Sequence, residues 1–90
     1  MQRTSLSGAQ IRAARALLRW SAVDLAREAA LGANTVRRAE LTDEKTSLTT
    51  ANELAVRRAL ENAGIEFISD AGGAGVRLKK SSQKVPSKTT

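Results

Sequence analysis

The sequence predicts a mainly α-helical domain of about five helices that ends in a short β-hairpin, and three observations predict it. Ser21 stands three residues before Asp24, and Thr50 three before Glu53. At this capping-box spacing each side chain satisfies a backbone N–H left orphaned at a helix start. Between Ser21 and Glu40 two apolar-periodic runs are separated only by Ala30-Leu31-Gly32, so two short helices meet through a tight turn. Past Gly64 the period changes from helical to two, with Ile65-Glu66-Phe67-Ile68 and Val76-Arg77-Leu78 alternating apolar and charged residues around a Gly-rich loop.

Taken in order, residues 1–6 read as a flexible N-terminus. From Ser7, a cap, the residues Ile11, Ala14 and Leu17/Leu18 give one apolar helix face that ends near Trp20, a core anchor. On the other side Arg12, Arg15 and Arg19 recur as a basic stripe, open to two readings: a solvated face or a set of phosphate contacts. The next helix buries Leu25, Ala26 and Ala29 and turns Asp24, Arg27 and Glu28 to water. In the one after it Thr35, Val36 and Ala39 face inward, with Arg37 and Arg38 on the polar side. Leu41 to Ser47 is polar and aperiodic, hence a loop. The helix opened by the Thr50/Glu53 box carries Leu54, Val56, Ala59, Leu60 and Ala63, with Arg57 and Arg58 in solvent, and stops at Gly64. Residues 65–78 form the hairpin, with Glu66 and Arg77 able to pair across it. A lone hairpin is marginal in water, so it should pack on the preceding helix or join a second chain. Lys79 to Thr90 has too few apolar groups to offset ordering entropy and reads as a disordered basic tail.

Ninety residues make one domain, small enough that a partner subunit would help its core. With no cysteine and no histidine, disulfides, thiol nucleophiles, zinc fingers and imidazole catalysis drop out. The net charge is +6, but four lysines lie beyond Leu78, so residues 1–78 hold 11 basic against 9 acidic groups, a balance of +2. Such a surplus suits a polyanion. Met1 to Val23 lacks acidic residues, as a mitochondrial targeting segment would, yet cleavage there would remove a helix that the motif needs. No apolar run is long enough to span a membrane.

The stretch Ser21–Glu40 resembles the helix-turn-helix of lambda-repressor-like, xenobiotic-response-element-type bacterial regulators. Leu25-Ala26 matches the Leu-Ala of the first motif helix, Leu31 the hydrophobic turn residue, and Val36 and Glu40 the aliphatic residue and glutamate of the second. The resemblance covers residues 7–64. It departs at Ala30, where the family usually has Gly, at Ala22, often Gln, and at Ala39, usually a larger aliphatic. It implies sequence-specific binding of double-stranded DNA by a transcriptional regulator, a repressor, acting as a homodimer in the cytoplasm on the nucleoid. By the same resemblance the base-reading positions fall on Ala33, Asn34 and Arg38, with Arg37 adjacent. Their chemistry fits: Asn matches the major-groove edge of adenine, Arg binds guanine bidentately, and the Ala33 methyl can touch that of thymine. Arg12, Arg15, Arg19 and Lys45 are the phosphate-binding candidates, with Asp43 and Glu44 opposing contact through the loop.

No catalytic constellation accompanies these features, since the carboxylates sit at caps or on the surface, and no cofactor or metal is expected. Gly72-Gly73-Ala74-Gly75 lacks the Gly-Lys-Ser/Thr ending of a phosphate loop. Two other readings stay open: an antitoxin that represses its own operon, and a protein-interaction module that keeps the fold without DNA binding and uses the 65–78 hairpin to hold a protein partner.

Overall fold

The computed structural model describes residues 5–80; the anticipated flexible start at 1–4 and the basic tail from 81 lie outside that range. Four helices precede a hairpin: α1 (Gly8–Leu18), α2 (Ala22–Ala29), α3 (Ala33–Ala39) and α4 (Thr50–Asn62), then β1 (Ile65–Asp70) and β2 (Gly73–Leu78). The architecture is thus mainly helical with a two-stranded antiparallel sheet. The expected fifth helix is absent among the described residues. The segment from Leu41 to Thr49 is irregular because its side chains compete for the backbone: the Thr42 hydroxyl accepts from Glu44 N–H at 3.0 Å and that of Thr46 from Leu48 N–H at 3.3 Å. Two backbone bonds, Gly8 N–H to Glu44 O (2.9 Å) and Thr46 N–H to Leu6 O (3.0 Å), pin this segment to the start of α1.

Local chemistry sets the helix starts. Ser7 caps α1 and Ser21 caps α2, each in a reciprocal box, with Gln10 and Asp24 returning a bond to the cap N–H. At α4 the cap is Thr49, not Thr50, and its hydroxyl accepts from Asn52 N–H at 3.1 Å. Glu53 is used elsewhere, accepting the Leu6 N–H at 2.8 Å. That bond fastens the chain before α1 to α4, and Leu6, expected in the flexible start, is 1% exposed and belongs to the folded domain.

The core joins Leu6, Ile11, Ala14, Leu25, Ala26, Ala29, Val36, Ala39, Val56, Ala59, Leu60 and Ile65. Its several alanines allow close helix approach at the expense of buried apolar area. Trp20 and Leu31 are half-buried against its margin. Leu17 and Leu54, expected on inner faces, are instead 43% and 38% exposed. Gly8 is the tightest point: a Cβ there would lie 2.0 Å from Thr42 O and 2.8 Å from Ala39 O, so only glycine lets α1 cross the exit of α3.

Helix α4 is capped by Ala63, and Gly64 follows at φ 110°, turning the chain into β1. In the hairpin Ile65 faces Leu78, Glu66 faces Arg77 and Phe67 faces Val76, around a turn of only Ala71 and Gly72. The strands therefore run longer and the loop shorter than the glycines suggested. Glu66 and Arg77 do pair, at 2.9 Å. The hairpin packs on the helices, β2 against α1 and β1 against α4. Arg57, expected in solvent, is buried there with its guanidinium 5.2 Å over the Phe67 ring and Glu61 3.8 Å away. No helix among the described residues is long and apolar enough to cross a membrane.

Candidate nucleic-acid interface

The arrangement of α2 and α3 follows from the turn between them. Ala30 ends α2 in the left-handed region (φ 59°, ψ 43°), its N–H bonded to Arg27 O, while Leu31 N–H reaches back to Ala26 O at 2.8 Å. Leu31 seats itself against the core, and Gly32 opens α3 by accepting from Thr35 and Val36. With Val36 and Ala39 buried, the helical period leaves Asn34, Arg37 and Arg38 exposed and Ala33 half-buried. All four base-reading candidates thus sit on α3. Arg37 donates to Asn34 Oδ1 at 3.2 Å, one turn apart. The Arg38 guanidinium makes no hydrogen bond or ion pair among the described residues. It borders a recess of about 200 Å³ with Thr35, Ser47, Leu48, Thr49 and Asn52. Sequence reasoning missed Ser47, Thr49 and Asn52 beside Arg38. The signal was present in the hydroxyl-rich Thr46-Ser47-Leu48-Thr49-Thr50 run at a helix start, where free N–H groups favour anions.

The arginines of α1 divide. Arg15 grips Glu40 through Nε (2.7 Å) and Nη2 (2.8 Å) and donates Nη1 to Trp20 O at 2.8 Å. The side chains are 22% and 8% exposed, and the hydrogen bonds to Glu40, opposed by burial and aided by its charge, hold the Arg15 proton more tightly than usual. Arg12 donates to Glu40 O (2.6 Å) and Thr42 O (3.3 Å) and pairs with the Asp43 carboxylate. A cation on the carbonyls at the end of α3 also complements its dipole. These two residues, anticipated as phosphate ligands, are joined to the C-terminal end of α3 and fix its position.

Arg19, the third residue of the stripe, is exposed and takes the left-handed conformation that closes α1, with φ 59°. Its guanidinium makes no bond among the described residues. Lys45 bridges Ser7 through its backbone and exposes its side chain. The stripe is therefore two clamps and one available cation. Across the motif, the Asp24 carboxylate accepts from Ser21 N–H and from Arg27, and these bonds hold its pKa below the ordinary carboxylate value.

Chemically, α3 presents one amide and two guanidiniums on a two-turn helix anchored at its N-terminal end by a tight turn and at its C-terminal end by two arginines. Such groups read hydrogen-bond patterns and bind anions. No protein-family model matches the chain, and no curated protein matches it.

Proposed function

We propose that this protein binds double-stranded DNA sequence-specifically, laying α3 in the major groove, and acts as a homodimeric transcriptional repressor in the cytoplasm. The observation that carries this reading is α3 itself: every exposed polar side chain on it, Asn34, Arg37 and Arg38, is of a type that binds base edges or phosphates, and its C-terminal end is held by Arg12 and Arg15. In this reading Arg38, which is uncommitted, reads a guanine, Asn34 reads an adenine with Arg37 steadying its amide, and Ala33 packs on a thymine methyl. Arg19 and Lys45 bind phosphates, and Arg12 and Arg15 act as positioning residues. Selection of bound fragments from a random duplex pool at near-physiological salt tests it. A two-fold symmetric motif is the expected product, and recovery of no motif would overturn the proposal.

One observation favours a second reading, a protein-interaction module or the antitoxin variant of the regulator. Leu41, directly after the Arg15 ligand Glu40, is 82% exposed, with the acidic Asp43 and Glu44 close behind it. The two carboxylates beside it repel a phosphate backbone, whereas a basic or apolar protein surface can take both them and Leu41. Capture of a protein that Leu41→Asp abolishes, together with an empty fragment selection, would establish that reading instead.

A further inference from the structure

The outer edge of β2 has a hydrogen-bonding phase that can be read from α1. Gln10, buried on α1, donates its side-chain amide to Ile68 O at 3.3 Å and to Gly75 O at 3.1 Å, and those two residues face each other across the hairpin. One nitrogen reaches both carbonyls only if both point into the hairpin, which makes this a hydrogen-bonded antiparallel pair. Lys79 N–H donating to Gly64 O at 2.8 Å sets the same phase. By alternation, the N–H and C=O groups of Ala74, Val76 and Leu78 point outward from β2. Among the described residues, no backbone group outside the hairpin pairs with them.

This edge is lightly guarded. Its six residues include no proline and no lysine before Lys79, and their one charge, Arg77, is paired with Glu66 of the neighbouring strand. Beside it lies a recess of about 350 Å³ whose walls include Ala9 and Ala13 of α1 and Ala74 and Val76 of β2. The small side chains leave room along the strand.

We propose that β2 pairs antiparallel with β2 of a second copy of this chain, joining the two hairpins into a four-stranded sheet with the two-fold axis at Val76. The outward groups admit pairings centred on Ala74, Val76 or Leu78, or on Gly75 or Arg77 between them, and the side chains choose among them. Centred on Val76, each Ala74 lies beside the second copy's Leu78, so an apolar row forms on the face that Val76 shares with Phe67, and Leu78, 41% exposed, gains cover. On the other face each Arg77, already paired with Glu66, lies opposite a glycine, Gly75, and meets no like charge. Centring on Ala74 would set Leu78 against Asp70, on Gly75 would set it against Gly72 of the turn and leave it uncovered, on Arg77 would set the two arginines against each other, and on Leu78 would set Val76 against Lys80. The pairing is independent of DNA binding and uses no residue of α3.

Sedimentation velocity of the full chain from low micromolar to several hundred micromolar tests the pairing. A monomer–dimer equilibrium is expected, weakened at least about tenfold by Ala74→Lys, which leaves an exposed monomer position but drives an ammonium against the second copy's Leu78. The chain has no cysteine, so Val76→Cys gives a direct readout. The axis places the two thiol-bearing Cα atoms about 5.5 Å apart, within disulfide reach. Mild oxidation should link Val76→Cys into dimers much faster than Leu41→Cys. A wild-type chain monomeric throughout would overturn the proposal. So would a dimer that Ala74→Lys leaves unweakened, or Val76→Cys linking no faster than Leu41→Cys. If Ala74→Lys fails to fold by circular dichroism, the cross-linking comparison decides.

Discussion

Replacing Ala30 by glycine should stabilise the domain, and the size of the effect follows from the backbone. Ala30 and Arg19 are the two non-glycine residues with positive φ among those described, both at 59°. A Cβ in that conformation crowds the following carbonyl at a cost of roughly 1–2 kcal/mol. Ala30 is exposed, so removing its methyl sacrifices no core contact. Against the gain stands the greater freedom of glycine in the unfolded chain, about 0.4–1 kcal/mol. The balance for Ala30→Gly is a stabilisation of about 0.5–1 kcal/mol, which for a domain of this size raises Tm by roughly 2–8 °C. Thermal unfolding followed by circular dichroism measures it, with Arg19→Gly as a companion that should shift in the same direction. An unchanged or lowered Tm in both variants would mean that the left-handed turns are not strained, and the argument from φ would fail. Affinity for any α3 ligand should stay constant in Ala30→Gly, since the turn geometry is kept.

Gly8→Ala should do the opposite, because the new methyl would meet the carbonyls of Thr42 and Ala39, which are backbone and cannot swing aside. Overpacking of this kind costs about 1–3 kcal/mol, read as a lower urea midpoint. Glu40→Ala leaves the Arg15 guanidinium, 22% exposed, without its carboxylate. Breaking a buried pair costs about 3–5 kcal/mol, and the partial exposure of Arg15 reduces this to about 2 kcal/mol, measurable by urea unfolding. Asp24 has a lowered folded pKa, chiefly from the Ser21 N–H and then from Arg27. Its contribution is therefore present above the unfolded carboxylate pKa, about 4, and is lost as pH falls through the lower folded value. Asp24→Asn should lose less stability than wild type over that acid window, and parallel pH profiles would refute the assignment.

What could be read in the sequence was mostly what is local. The Ser21/Asp24 box, the burial of Leu25, Ala26, Ala29, Val36 and Ala39, and the Glu66–Arg77 pairing all follow from neighbours a few residues away or directly across a hairpin. The α4 cap was misplaced by one residue because Thr49 and Thr50 are equivalent in type, and only the use of Glu53 by the Leu6 N–H separates them. Non-local partners account for the other differences. Arg57 interrupts an apolar pattern yet is buried, since Phe67 and Glu61 give its charge and stem a place. The Arg12, Arg15 and Arg19 stripe looked uniform because charge spacing along one helix says nothing about a carboxylate 25 positions on, Glu40, that claims one member.

In the DNA-binding function proposed above, that division of the stripe has a thermodynamic signature. Each phosphate neutralised contributes about 0.9 to the slope of log affinity against log salt. If Arg12 and Arg15 are held by Glu40, Thr42 and Asp43, they contribute little to that slope, whereas Arg19 and Lys45 contribute in full. Arg19→Ala should flatten the slope by about one per copy and weaken all sequences alike, while Arg38→Ala should cost about 1–3 kcal/mol on the selected site and relax one base preference. Arg15→Lys, which keeps a charge but loses the two-pronged grip on Glu40, should lower stability and leave the slope of the folded protein unchanged. A slope that falls as far for Arg15→Lys as for Arg19→Ala would show that Arg15 leaves Glu40 for a phosphate on binding. Equal losses for Arg38→Ala on selected and random DNA would assign Arg38 to a phosphate and leave base reading to Asn34 and Arg37.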